Sequence, residues 1–185
     1  MAVAAGLTLR TSEVHGVLTR LPYIPETELT AIEVSERAYV AAEMFAFLTF
    51  WLSRLPCPVL NRPTAGSLNG PAWHRAQWAA VATRVGMSVL SERRQLRLRT
   101  AAPPELIQPS TVVTIVGDRA IGDAHPSLID KSQRLAASAD IGFCDVFFDG
   151  SDANAKFVNV SLYPDLERAS VSDALAQFFF ADRRG

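Results

Sequence analysis

Lysine is nearly missing from this chain. Only Lys131 and Lys156 are lysines, against sixteen arginines, and none precedes Lys131. GC-rich codon usage accounts for such a ratio. Whatever its origin, no ammonium group is available to phosphate oxygens anywhere before position 131. Cysteine is scarce as well. Cys57 and Cys144 lie far apart, and no Cys-x-x-Cys spacing exists, so reduced, buried thiols in a cytoplasmic protein are expected. His15, His74 and His125 show neither His-x-His nor His-x-x-x-His spacing, which argues against zinc. No Gly-x-Ser-x-Gly elbow marks a serine nucleophile. A charge excess is lacking too: the net charge is −1, so no general attraction to nucleic acid or anionic membrane is expected. The longest apolar run, residues 39–52, is 14 residues long and carries Glu43. It is too short to span a bilayer. Residues 1–9 lack the basic start of a signal peptide.

What is present is an ordinary globular composition, 49% hydrophobic and 20% charged, long enough for one domain or two small lobes. Residues 6–10 and 16–21 read as short strands with a turn at 11–15 between them. Residues 35–55 read as a helix that starts at a serine, lacks Gly and Pro, and stops before Pro56. Its apolar residues run nearly all round, which calls for burial on several sides or against a partner. A short strand at 58–60 and a helix over 72–85, closed by Gly86, follow, with a further short strand at 88–90. Residues 91–110 read as a linker with a short strand at 95–99. Its Arg93, Arg94, Arg97 and Arg99 are a solvated loop, a partner surface or, less simply, a phosphate site.

Residues 111–116 are β-branched at every position and predict a strand. A Gly117-Asp118 turn, a strand at 119–121, a helix over 126–139, strands at 141–148 and 156–160, and a last helix ending at 181 complete the chain. The domain reading is therefore an N-terminal lobe over 1–90, a linker over 91–110 and a C-terminal lobe over 111–185. Trp51, Trp73, Trp78, Phe45, Phe47 and Phe50 load the first half with aromatics. They are core by default and partner surface where left open. Phe178, Phe179 and Phe180 on consecutive helix positions cannot all face one core.

Chemistry concentrates at one place. Asp145 lies on the strand at 141–148, and Asn159 and Ser161 hold alternate positions on the next, ahead of Leu162-Tyr163-Pro164. Alternation puts all three side chains on one face. The layout suits a magnesium site, but only one of the three is a carboxylate, and hard cations prefer carboxylate oxygens. Asp145 is a lone ligand or a polar cleft residue without a metal role. Asn159 and Ser161 are hydrogen-bonding ligand contacts or satisfied strand-edge groups. Cys144, beside a carboxylate, reads as a small buried residue rather than a nucleophile.

Aligned on Pro164, this run resembles the end of the ATP-grasp ligase fold, which has an Asp on one strand and Glu-x-Asn-x-x-Pro on the next. Asp145 keeps the Asp; Asn159 stands where the Glu belongs and Ser161 where the Asn belongs. The first half is similar to RimK-like and peptide-maturase ligases in Arg20 at a strand end, Glu43 in the apolar helix, Asn61-Arg62-Pro63, and a helix end at Arg84-Val85-Gly86-Met87 with Leu90 in place of the usual Pro. Val112 to Arg119 resembles the family's Gly-Asp hairpin. The resemblance implies an α/β fold, a mixed sheet flanked by helices. It also implies a truncated ATP-grasp scaffold: too few residues lie between Leu90 and Thr111 for the family's ATP lid, no glycine lies between Met87 and Val116, and the opening of the N-terminal lobe is abbreviated.

With metal ligands, lysines and lid all lost, phosphoryl activation has no electrostatic frame. No catalytic residue, metal or cofactor is expected, and neither ATP nor Mg. Asp145, Asn159 and Ser161 form a residual cleft; Arg20, Arg62 and Arg119 are candidates for ligand binding. The expected role is a non-catalytic accessory or scaffolding subunit that binds a protein partner, or itself, in a ligase or peptide- or natural-product-modifying complex. The alternatives are a carboxylate–amine ligase component active only with a partner chain, and a homodimer that binds a small metabolite.

Overall fold

The computed structural model describes residues 10–90 and 109–180, with the backbone of 2–3 and 7–8. The strand expected at 95–99 and the four arginines around it lie outside the described residues.

Strand β1 (Ala2–Val3) pairs antiparallel with β2 (Leu7–Thr8), and β3 (Val17–Leu18) pairs parallel with β4 (Val59–Leu60). The two strands placed in the first 21 residues thus exist, but they are not partners across a turn. Residues 11–13 form a single 3-10 turn instead. Val59 and Leu60 are buried, and pairing with them gives Val17 and Leu18 apolar neighbours that a local hairpin would not. The pairing is held by Val17 N–H to Pro58 O at 2.9 Å and Thr19 N–H to Leu60 O at 2.7 Å.

Helix α1 (Arg37–Arg54) stops as expected ahead of Pro56. Only Ala41 and Leu52 are buried in it. Val40, Phe45, Leu48 and Trp51 are half-buried, while Tyr39, Met44, Phe47 and Phe50 are exposed. Helix α2 (Arg75–Arg84) follows His74, whose N–H donates to Gln77 Oε1 at 2.9 Å. Gly86, at φ +81°, lets Met87 N–H reach back to Ala82 O at 2.9 Å and ends the helix.

The main sheet has strand order β6-β5-β7-β8 and is antiparallel throughout. Its strands are β5 (Thr111–Val116), β6 (Arg119–Ile121), β7 (Phe143–Phe148) and β8 (Phe157–Ser161). The two-residue Gly117-Asp118 connection works because Gly117 adopts φ +58°. Helix α3 (Pro126–Ser138) is capped by His125, whose Nδ1 accepts from Ser127 N–H. On one face of the sheet, Val113, Ile115, Cys144, Val146 and Phe148 pack with α2 and α3 through Trp78, Val81, Leu128 and Leu135. On the other, Val116 and Phe143 pack against Leu60 and against helix α4 (Ala169–Phe180) through Val171, Ala174 and Leu175. A bulge at Val158 changes the parity of β8, so Phe157 and Val160 both reach the first core.

Asn61 links the first half of the chain to β7 and spends its whole amide doing so. Its Nδ2 donates to Phe143 O at 2.8 Å and Asn69 O at 3.3 Å. Its Oδ1 accepts from Gly142 N–H at 2.9 Å and Phe143 N–H at 2.8 Å. The expectation that the three phenylalanines diverge holds. Phe178 sits over Gly117, Phe179 sits over Gly16, and Phe180 is exposed. A Cβ on either glycine would overlap the ring above it.

Candidate functional site

The pairing of β7 with β8 sets Asp145 directly opposite Ser161, and that of β5 with β7 sets Thr114 opposite Asp145. Thr114, Asp145 and Ser161 therefore form one row across the sheet. Asn159 lies two residues away, opposite Phe147. Asp145 and Thr114 are buried. The Thr114 hydroxyl donates to Asp145 Oδ1, and Arg168, just ahead of α4, donates its Nη1–H to Thr114 Oγ1 at 2.9 Å. Burial pushes the Asp145 carboxyl above its ordinary range. The Thr114 hydrogen bond and the Arg168 charge pull it back down, and the neighbouring Asp165 pushes it further up.

A magnesium ion, which the ATP-grasp resemblance implies here, does not fit this donor set. The strand carboxylate of Asp145 is buried and already accepts from Thr114 with Arg168 behind it. The second carboxylate nearby, Asp165, is exposed and accepts from Glu167 N–H at 2.9 Å. Among the described residues no three His, Cys, Asp or Glu side chains gather as ligands to a metal would.

Asn159 and Ser161 also face a cleft of about 440 Å³ that runs between β8 and the loops at 22–23 and 66–73. Ser161 Oγ accepts from Tyr163 N–H at 3.1 Å. The three candidate arginines are not brought together. Arg20 donates Nη1–H to Pro164 O at 2.8 Å, at the end of the same run that holds Asn159 and Ser161. Arg62 lies at a separate cleft of about 660 Å³ with Asp118, Arg134 and Asp140. Arg119 donates to Gln177 Oε1 on α4.

No family model matches the chain, and no curated protein does. Among solved structures it is similar to the macrocyclase MdnC bound with precursor peptide MdnA from Microcystis aeruginosa MRC. That match has 12% identity and a TM-score of 0.67, and covers 97% of this chain and 82% of that one. The fold is shared with MdnC. The macrocyclase MdnB from the same organism matches at 13% identity over 95% of this chain and 75% of that one, with a TM-score of 0.49. At such identities the likeness to MdnC is one of architecture: a mixed α/β chain with sheets flanked by helices.

Three residues of the site escaped the sequence reading. Thr114 was visible only as one more β-branched strand residue, and Arg168 and Asp165 stood just beyond the run that ended at Pro164. An alternation count along β5 would have put Thr114 on the Asp145 face, since Val113 and Ile115 occupy the other. Cys144 is fully buried, and burial pushes its thiol far above the ordinary range with Asp145 adding to the effect, in keeping with an inert side chain. Among the described residues no helix is long and apolar enough to cross a membrane.

Proposed function

We propose that this chain works by binding: a non-catalytic, shortened ATP-grasp-like accessory or scaffolding subunit that holds a protein or peptide partner in a peptide-modifying or ligase complex. The observation that carries the reading is the commitment of Asp145 to Thr114, which is itself held by Arg168, with Ser161 and Asn159 in place of further carboxylates. Phosphoryl transfer depends on metal and cationic groups held at the developing charge. Among the described strands the only acidic residue, Asp145, is turned to the fold's own hydrogen bonds. The shared fold with MdnC, a macrocyclase crystallised with a precursor peptide, adds support for a peptide or protein as the thing bound. Isothermal titration with Mg-ATP tests the reading. No saturable heat is expected, and micromolar binding that weakens in Asp145→Ala would overturn it.

A second reading, self-association, draws on α1. Tyr39, Phe47 and Phe50 are 65%, 56% and 62% exposed and share one stripe of the helix with Glu43 and Arg54. The order Glu43, Phe47, Phe50, Arg54 is a palindrome in spacing, with opposite charges at its two ends. Two antiparallel copies of α1 related by a twofold axis midway between Phe47 and Phe50 set Phe47 against Phe50, and Glu43 against Arg54, twice. Sedimentation equilibrium checks this. A dimer that Phe50→Glu converts to monomer supports it, and a concentration-independent wild-type monomer refutes it.

A further inference from the structure

The cleft along β8 holds an unused hydrogen-bond donor. Asn69 is 2% exposed. Its main-chain N–H donates to Ser67 Oγ at 3.3 Å, its carbonyl accepts from Asn61 Nδ2 at 3.3 Å, and its Oδ1 accepts from Ser67 Oγ at 2.8 Å. Ser67 Oγ thus accepts from the Asn69 main chain and gives its own proton to the Asn69 side-chain oxygen. Asn69 is among the residues that line the cleft, and its buried Nδ2 has no partner. The large majority of buried side-chain polar atoms in folded proteins are paired, so this one points to a missing acceptor.

The remaining walls say what carries that acceptor. Among the described residues no charged side chain lines the cleft, so a carboxylate, phosphate or cation would lose its water and gain no counter-charge from them. Trp73 and Trp78 meet edge to face with ring centroids 4.7 Å apart, and with Pro22 and Pro71 they offer an apolar seat. The volume of about 440 Å³ is that of a site for a side chain with its flanking backbone. The position is also that of a sheet edge. Among the described residues β8 is the terminal strand, residues 88–90 meet it at Phe157, through Phe157 N–H to Ser88 O at 2.7 Å and Leu90 N–H to Phe157 O at 2.9 Å, and Arg75 takes Val158 O at 3.0 Å. Beyond Val158 the strand runs along the cleft. Ser161 Oγ, which accepts from Tyr163 N–H, keeps its own proton for a second acceptor.

We propose that this cleft seats an apolar side chain of an uncharged peptide segment, whose main-chain carbonyl accepts from Asn69 Nδ2. The inference rests on the binding reading above and gives it a place and a chemistry: an aromatic or aliphatic residue flanked by neutral amides.

Proton–nitrogen correlation spectra of the full chain provide the test. The probes are a blocked leucyl-phenylalaninamide, the same peptide with aspartate in place of phenylalanine, and benzamide as a small non-peptide amide. The expected result is a saturable downfield shift of the Asn69 side-chain amide protons, with movement of the Trp73 and Trp78 indole signals, for the blocked leucyl-phenylalaninamide. The aspartyl peptide should leave them in place. Asn69→Asp keeps an oxygen for Ser67 and removes the donor, and should weaken the apolar peptide at least about tenfold. If that variant does not fold, the wild-type shifts of this one amide decide the matter. An Asn69 amide unmoved by every probe overturns the site, as does equal binding of the aspartyl peptide. Benzamide binding as tightly as the blocked peptide overturns the peptide assignment. Mg-ATP binding that depends on Asp145 would overturn the binding reading while leaving an Asn69 shift standing. A silent Mg-ATP titration with an unmoved Asn69 amide would overturn this inference alone.

Discussion

Asn61→Asp is the most demanding perturbation the structure offers, because it changes one atom of a fully used amide. The two N–H donors at Gly142 and Phe143 keep an acceptor, while Phe143 O and Asn69 O lose their donor and face an oxygen instead. Asn61 is 2% exposed and Phe143 is fully buried, so water does not replace what is lost. Leaving a buried polar group unsatisfied costs about 1–3 kcal/mol. Two such groups put the loss at roughly 2–6 kcal/mol, against a total stability of about 5–15 kcal/mol for a typical protein. With a urea slope of about 1–3 kcal/mol per molar, the unfolding midpoint should fall by on the order of 1–3 M. Tryptophan emission reads it, since Trp78 is buried in the main core.

The variant has a second signature. The introduced carboxyl is buried against two carbonyl oxygens, so its folded-state pKa lies above its unfolded one. The protonated form can donate to one of them. The deficit should therefore be smallest below the unfolded carboxyl pKa and grow as pH rises through the folded one. A midpoint within about 0.3 M of wild type at neutral pH, or a deficit that does not change with pH, would refute the hydrogen-bond assignment of Asn61.

Asp145→Asn should behave in the opposite sense. The wild-type carboxyl has a folded pKa above its ordinary value, so its contribution to stability is full below the unfolded pKa and is lost as pH rises through the folded one. The amide keeps an acceptor for Thr114 and removes that loss. The variant should match wild type in acid and melt higher at neutral pH, and a variant that melts lower at neutral pH refutes the argument. Gly117→Ala should cost about 1–2 kcal/mol from the left-handed backbone alone, plus displacement of the Phe178 ring above it, measured by thermal unfolding. Cys144 should resist aromatic disulfide reagents until the protein unfolds, with modification tracking global denaturation, because its thiol is fully buried and its pKa raised.

Local chemistry was legible in the sequence, and long-range pairing was not. Residues 111–116 announced β5 through β-branching at every position, Gly117-Asp118 announced its turn, and Pro56 announced the end of α1. The facing of Asp145 and Ser161 followed from alternation on two neighbouring strands, and the structure pairs them directly. Val17–Leu18 showed strand propensity but no sign of its partner, because Val59–Leu60 lies some forty residues on and no local turn specifies a parallel pair. Asn61 was read as part of an Asn-Arg-Pro loop. Its role depends on main-chain atoms of residues 142 and 143, which carry no side-chain signature. Asn69 drew no notice for the same reason: an amide becomes informative only when its surroundings show that one of its hydrogens has nowhere to go.

The seating of Phe179 on Gly16 bears on the order in which the chain is made. Residues near the start gain their cover from a ring near the end, and Arg20 reaches across to the carbonyl of Pro164. During synthesis the opening segment emerges long before α4 exists. It must wait, with Val17 and Leu18 uncovered by α4, until residues 169–180 have left the ribosome. Nascent chains stalled before α4 should therefore leave residues 10–60 open to proteases, and α4, though it carries none of the candidate site residues, acts as a late latch on the strands before it.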